Sequence, residues 1–73
     1  MNVDNEEQAQ TAINGWRQEP PLAQRRNIQL AIESLELSQM YYEQKGNDQG
    51  VGRSGRCIAL LRQRLTELTD GGT

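Results

Sequence analysis

The stretch Arg26-Asn27-Ile28-Gln29-Leu30-Ala31-Ile32-Glu33-Ser34-Leu35-Glu36-Leu37-Ser38-Gln39-Met40-Tyr41-Tyr42 decides the fold. At about 100° per residue, Ile28, Ala31, Ile32, Leu35 and Tyr42 share one face of a helix. Leu30, Ser34, Leu37 and Tyr41 fall on nearly the opposite face, at i, i+4, i+7 and i+11. A helix that is apolar on two faces has to bury both, and one hairpin partner covers only one of them. The stretch therefore predicts a long helix, a helical partner, and a second contact from elsewhere.

Two breakers bound this helix. Pro20-Pro21 sets its start, because a proline in the first turn gives up an N–H that has no partner anyway. Gly46 closes it, with Lys45 at the negative end of the dipole. The predicted span is 22–45. After it, Gly46-Asn47-Asp48-Gln49-Gly50-Val51-Gly52-Arg53-Ser54-Gly55 reads as a Gly-rich loop over 46–55. Each glycine costs a helix about 1 kcal/mol relative to alanine. A third helix follows over about 54–70, with Ile58, Leu61, Leu65 and Leu68 spaced as a short a/d seam. That seam suits an antiparallel hairpin against the long helix. Gly71-Gly72-Thr73 reads as a frayed end. Ahead of the prolines, Ala9, Ala12, Ile13 and Trp16 mark a short helix over about 4–18, with Asp4 and Glu7 at capping-box spacing. No run of β-branched residues alternates, and no repeat occurs. The expected fold is all-α, one domain over 1–73: a helical hairpin covered by a short N-terminal helix.

Size and composition push the same way. The chain has 73 residues, 34% of them hydrophobic, with no His and one Cys. A core of this size rarely contributes more than roughly 3–5 kcal/mol, and neither a disulfide framework nor a His/Cys zinc cluster can supplement it. Association with itself or a partner is the remaining route, and a homo-oligomer is expected. The missing His removes the usual general base, and no nucleophile has a base beside it. An enzyme is the least favoured class, and no cofactor or metal is expected. No apolar run approaches membrane-spanning length. No charged-then-apolar leader opens the sequence, so a cytoplasmic location is expected.

The charge is uneven. Residues 1–21 carry −3, 22–45 are neutral, 46–66 carry +3 and 67–73 carry −2. Gly50-Val51-Gly52-Arg53-Ser54-Gly55 matches the letters G-x-G-x-x-G without the strand that a dinucleotide site needs. A Gly-rich loop running into a helix N-terminus can still hold an anion, with Arg53 and Arg56 flanking it and Ser54 capping or donating. The alternative is a plain connector, with the arginines solvated or paired to the acidic N-terminal helix. Arg25 and Arg26 stand near the start of the long helix, where the dipole disfavours cations. The arginines are too few for duplex nucleic acid. Glu33, Glu36 and Glu43 read as a solvated face. Cys57, in the first turn of the predicted third helix, reads as a small core residue; the alternative is a thiol whose pKa the helix N-terminus lowers. Trp16, Leu30, Leu37 and Tyr41 form the candidate interface, with cover by the N-terminal helix through Trp16 as its alternative.

The stretch from Arg26 to Tyr41 resembles a helix of the phage anti-CBASS and anti-Thoeris hairpin family. There an Arg opens a Leu-Ala-Ile-like run, followed by Leu-Glu, a small residue and a Met-aromatic pair. The resemblance covers about a fifth of the chain. It implies a non-catalytic helical oligomer that sequesters a nucleotide immune signal between subunits, with Arg26 as a ligand contact. The family tends to have an acid where Asn27 stands and Trp where Tyr41 stands.

The combined expectation is a non-catalytic binding protein acting by stoichiometric inhibition or sequestration. Its ligand is either a phosphate-bearing signalling nucleotide, held by Arg25, Arg26, Arg53, Ser54 and Arg56, or a protein docked on the Leu30/Leu37/Tyr41 face.

Overall fold

The computed structural model describes residues 3–71, which form three helices: α1 (Glu6–Trp16), α2 (Pro21–Gln44) and α3 (Asp48–Gly71). There is no strand among the described residues. The expected frayed end lies partly outside them, at Gly72 and Thr73, while Gly71 is the last residue of α3. α2 and α3 form an antiparallel hairpin, and α1 lies mainly across α3. The Cα extents are 41 × 19 × 14 Å, so the molecule is a rod.

Each helix starts and stops for a local reason. The Asn5 side chain caps α1 by accepting the Gln8 N–H at 2.8 Å, and Gln8 Oε1 accepts the Asp4 N–H at 2.7 Å. The cap sits one residue later than the Asp4/Glu7 pair expected, because Asn5 has the extended backbone a cap requires, and the return bond from Gln8 goes to Asp4 rather than to the cap itself. α1 stops at Trp16 rather than at 18, ahead of the Pro20-Pro21 turn.

The largest correction concerns the Gly-rich loop over 46–55. α3 begins at Asp48, not at 54, so Gly50, Gly52 and Gly55 lie inside a helix. The connection is only Lys45-Gly46-Asn47. Gly46 has φ +70°, the left-handed conformation that closes α2. Its N–H reaches the Glu43 carbonyl at 3.1 Å, and the Asn47 N–H reaches that of Tyr42 at 2.9 Å, the Schellman pattern. Asn47 then caps α3, its Oδ1 accepting the Gly50 N–H at 3.0 Å, while Asp48 puts a carboxylate at the positive end of the dipole.

Gly50 fits inside the helix because Tyr42 occupies the space its side chain would fill. A Cβ there would lie 2.5 Å from Tyr42 Cγ and 2.6 Å from Cδ1.

The core forms where the apolar faces predict it. Ala9, Ala12 and Ile13 of α1, Ile28, Ile32 and Leu35 of α2, and Cys57, Ile58, Leu61 and Leu68 of α3 are buried. Leu61 is the centre of the α3 seam, with no exposed surface, whereas Leu65 is only partly buried at its edge.

Candidate functional site

The second apolar face of α2 is bare. Leu30 is 58% exposed, Leu37 68% and Tyr41 56%, and Leu22 and Met40 join them at 67% and 57%. The face is bare because α1, the one other element among the described residues, turns to α3 instead. Trp16 packs against the core and stands beside Leu30. With Asn27, Ala31 and Ser34 they bound an open hollow of about 300 Å³. Trp16 thus borders one end of the face and leaves Leu37 and Tyr41 in solvent. Tyr41 stacks edge-on with Tyr42 at 5.8 Å and lies under the Lys45 ammonium, 5.7 Å from its ring centre. Large apolar side chains recur along one face of a helix of about 36 Å, the kind of exposed surface that marks an interaction site.

The arginines tell a different story. Arg53, Ser54 and Arg56 are not at a helix N-terminus, since α3 starts several residues before them. Ser54 is buried inside the helix and is not its cap. Arg53 reaches the Tyr42 hydroxyl at 3.3 Å and lies over its ring. Arg56 pairs with Glu6 of α1 at 2.8 Å, so the acidic first helix answers one of the basic residues, although the segment that carries Arg56 is helix and not a connector. Arg62 pairs with Glu36 at 3.1 Å. Arg25 and Arg26 are exposed and have no ion-pair partner among the described residues. Within one chain the two groups stay apart. The far end of α2 meets α3 where Gln24 contacts Arg64, and the near end where Gln39 contacts Val51. Arg25/Arg26 and Arg53/Arg56 therefore stand toward opposite ends of the hairpin, and no four-arginine cradle forms within it.

One polar cluster lies beyond the sequence-based expectations. Gln24 is buried, its Nε2 donating to the Glu19 carbonyl at 2.7 Å and its Oε1 accepting from Arg64 Nη2 at 3.1 Å. Arg64 also pairs with Glu67, and its Nε is buried with no partner among the described residues. The cluster ties the α1–α2 turn to α3. It borders a small cleft of about 90 Å³ that includes Arg17 and Gln63. Nothing in the local sequence distinguishes Gln24 from its solvated neighbours; only its place on the Ile28/Leu35 side of α2 hints at burial.

Cys57 is fully buried in the third turn of α3, so the first-turn placement does not hold. Burial raises its thiol pKa, and Glu6 adds to the rise against the lowering effects of Arg53 and Arg56. The helix N-terminus that the activated-thiol alternative invokes lies nine residues away, at Asp48. The folded chain keeps the thiol proton where an unfolded chain loses it. Stability accordingly falls as pH climbs above the ordinary thiol value. Urea midpoints at pH 7 and pH 9.5 should differ by more in the parent than in Cys57→Ala.

No group of three or more His, Cys, Asp or Glu among the described residues is placed to hold a metal ion, and no helix of the structure is long and apolar enough to cross a membrane. No family model matches the chain, and neither does any curated protein or solved structure.

Proposed function

We propose that this chain is a non-catalytic binding protein that works by occupancy, using the outer face of α2 as its docking surface and a second copy of itself as the first occupant. The observation that carries this reading is the stripe Leu22/Leu30/Leu37/Met40/Tyr41, each more than half exposed. Burying one such side chain contributes roughly 1.5–3 kcal/mol, which is large beside the few kcal/mol a core this small supplies. A second copy brings the same stripe, so one association covers both. The assembled protein then acts stoichiometrically, as an inhibitor or regulator.

Sedimentation velocity at micromolar concentration tests it. The parent should run as a dimer or larger, and Leu37→Glu as a monomer with unchanged helical circular dichroism, because Leu37 touches solvent and not the core. A monomeric parent overturns the reading.

A second reading, sequestration of a phosphate-bearing nucleotide, keeps one supporting observation: Arg25 and Arg26 are exposed and without an ion pair among the described residues. Calorimetric heat with a cyclic dinucleotide that disappears in the Arg25→Ala/Arg26→Ala double variant would favour it.

A further inference from the structure

The outer face of α2 carries charge as well as apolar surface, and the order of the two is symmetric along the helix. Leu22, Arg26, Glu33 and Leu37 lie at equal distances on either side of a midpoint between Gln29 and Leu30. At about 100° per residue, these four and Leu30 fall within about 80° of one another, so they form one stripe. Arg26 and Glu33 are both exposed, and neither has an ion-pair partner among the described residues. Seven residues, or about 10 Å along the axis, separate them, too far for them to pair on their own helix. Glu36, one turn on, already has Arg62.

From this we infer that two copies pack α2 against α2 antiparallel, with the two-fold axis passing between Gln29 and Leu30. This inference rests on the docking face proposed above and adds its partner geometry. An isologous contact pairs residue i with j and j with i. Here that rule sets Leu22 on Leu37 of the second copy and Arg26 on Glu33 of the second copy, each twice. Leu30 of both copies lies beside the axis. The same register sets Met40 and Tyr41 opposite Glu19 and Gln18, in the exposed α1–α2 turn of the second copy. A parallel pairing would instead bring each Arg26 beside its own counterpart and each Glu33 beside its own, leaving all four charges facing like charges. The antiparallel register satisfies them and covers the stripe over most of its length.

Charge exchange tests the register. Arg26→Glu sets a carboxylate at position 26 against Glu33 of the second copy in both contacts. Glu33→Arg likewise sets a guanidinium at position 33 against Arg26 of the second copy. Each variant alone should weaken the dimer at least tenfold at low salt. An equimolar mixture of the two should recover the parent's affinity, because every contact then pairs opposite charges; the double variant should recover it too. Both sites are solvent-exposed, and far-UV circular dichroism of each single variant checks that it remains folded. A parent dimer that Leu37→Glu splits, with single variants as tight as the parent or a mixture no tighter than the single variants, overturns the antiparallel register and leaves the docking face standing. A monomeric parent overturns both.

Discussion

Leu61→Ala should remove about 2–5 kcal/mol of folding stability, close to everything a domain of this size has. Leu61 is completely buried, and it belongs to the cluster in which α1, α2 and α3 meet through Ile13, Ile28, Ile32, Leu35 and Ile58. With three thin helices around it, no layer of structure behind the site can shift to fill the cavity, which favours the upper part of the range. Chemical denaturation followed by circular dichroism should show the variant largely unfolded at room temperature. Leu65→Ala, at the rim of the same seam and already partly in solvent, should cost clearly less. If the two variants are equally stable, Leu61 is not the centre of the core.

Gly50→Ala should destabilise the hairpin by about 1–3 kcal/mol, although alanine is ordinarily the better helix former by about 1 kcal/mol. The added methyl group would come within 2.5–2.8 Å of Tyr42 Cγ, Cδ1 and Cδ2, the root of the ring rather than a flexible end. Tyr42 has to move, and with it the contact that Arg53 makes with its hydroxyl and ring. Gly52→Ala is the control. Its Cβ would meet only the Arg56 guanidinium, at 3.3 Å, and that end can swing aside. Thermal melts should therefore move in opposite directions, down for position 50 and up for position 52. A rise at both would mean that Tyr42 does not pack on Gly50.

Helix identity and the core are legible in the sequence; helix ends are less so. The Ile28/Ile32/Leu35 face and the Ile58/Leu61/Leu68 seam follow from period alone, and both are buried. That α3 leaves the Leu30, Leu37 and Tyr41 face uncovered follows from arithmetic, since two faces cannot share one partner; that α1 leaves it bare as well does not. The start of α3 is harder to place, because three glycines outweigh the signals that count at a helix boundary. Gly46 as a C-terminal closer, Asn47 as a cap and Asp48 at the dipole's positive end form a complete stop-and-start sequence within three residues. Propensity argues for a loop, and tertiary packing of Tyr42 on Gly50 overrides it. The placement of two arginines at a helix N-terminus fails as a consequence: with α3 starting at Asp48, Arg53 and Arg56 become side-of-helix residues. Pairing of Arg56 with Glu6, fifty positions away, and burial of Gln24 against Arg64 depend on how α1 lies across α3, which no local pattern encodes.

The three-residue turn at Lys45-Gly46-Asn47 bears on the route by which the chain reaches its fold. Hydrogen bonds near the turn, Tyr42 with Arg53 and Gln39 with Val51, span 11 and 12 residues. Closing loops of that size costs little chain entropy, and each contact made shortens the loop that the next must close. Glu36 with Arg62 spans 26 residues and Gln24 with Arg64 spans 40, yet both are reached by zipping outward from a hairpin already joined. A helical hairpin assembled in this way has low effective contact order and belongs with the microsecond-to-millisecond folders. Such speed keeps short the interval in which the bare stripe of α2 is carried by a chain that has no other structure.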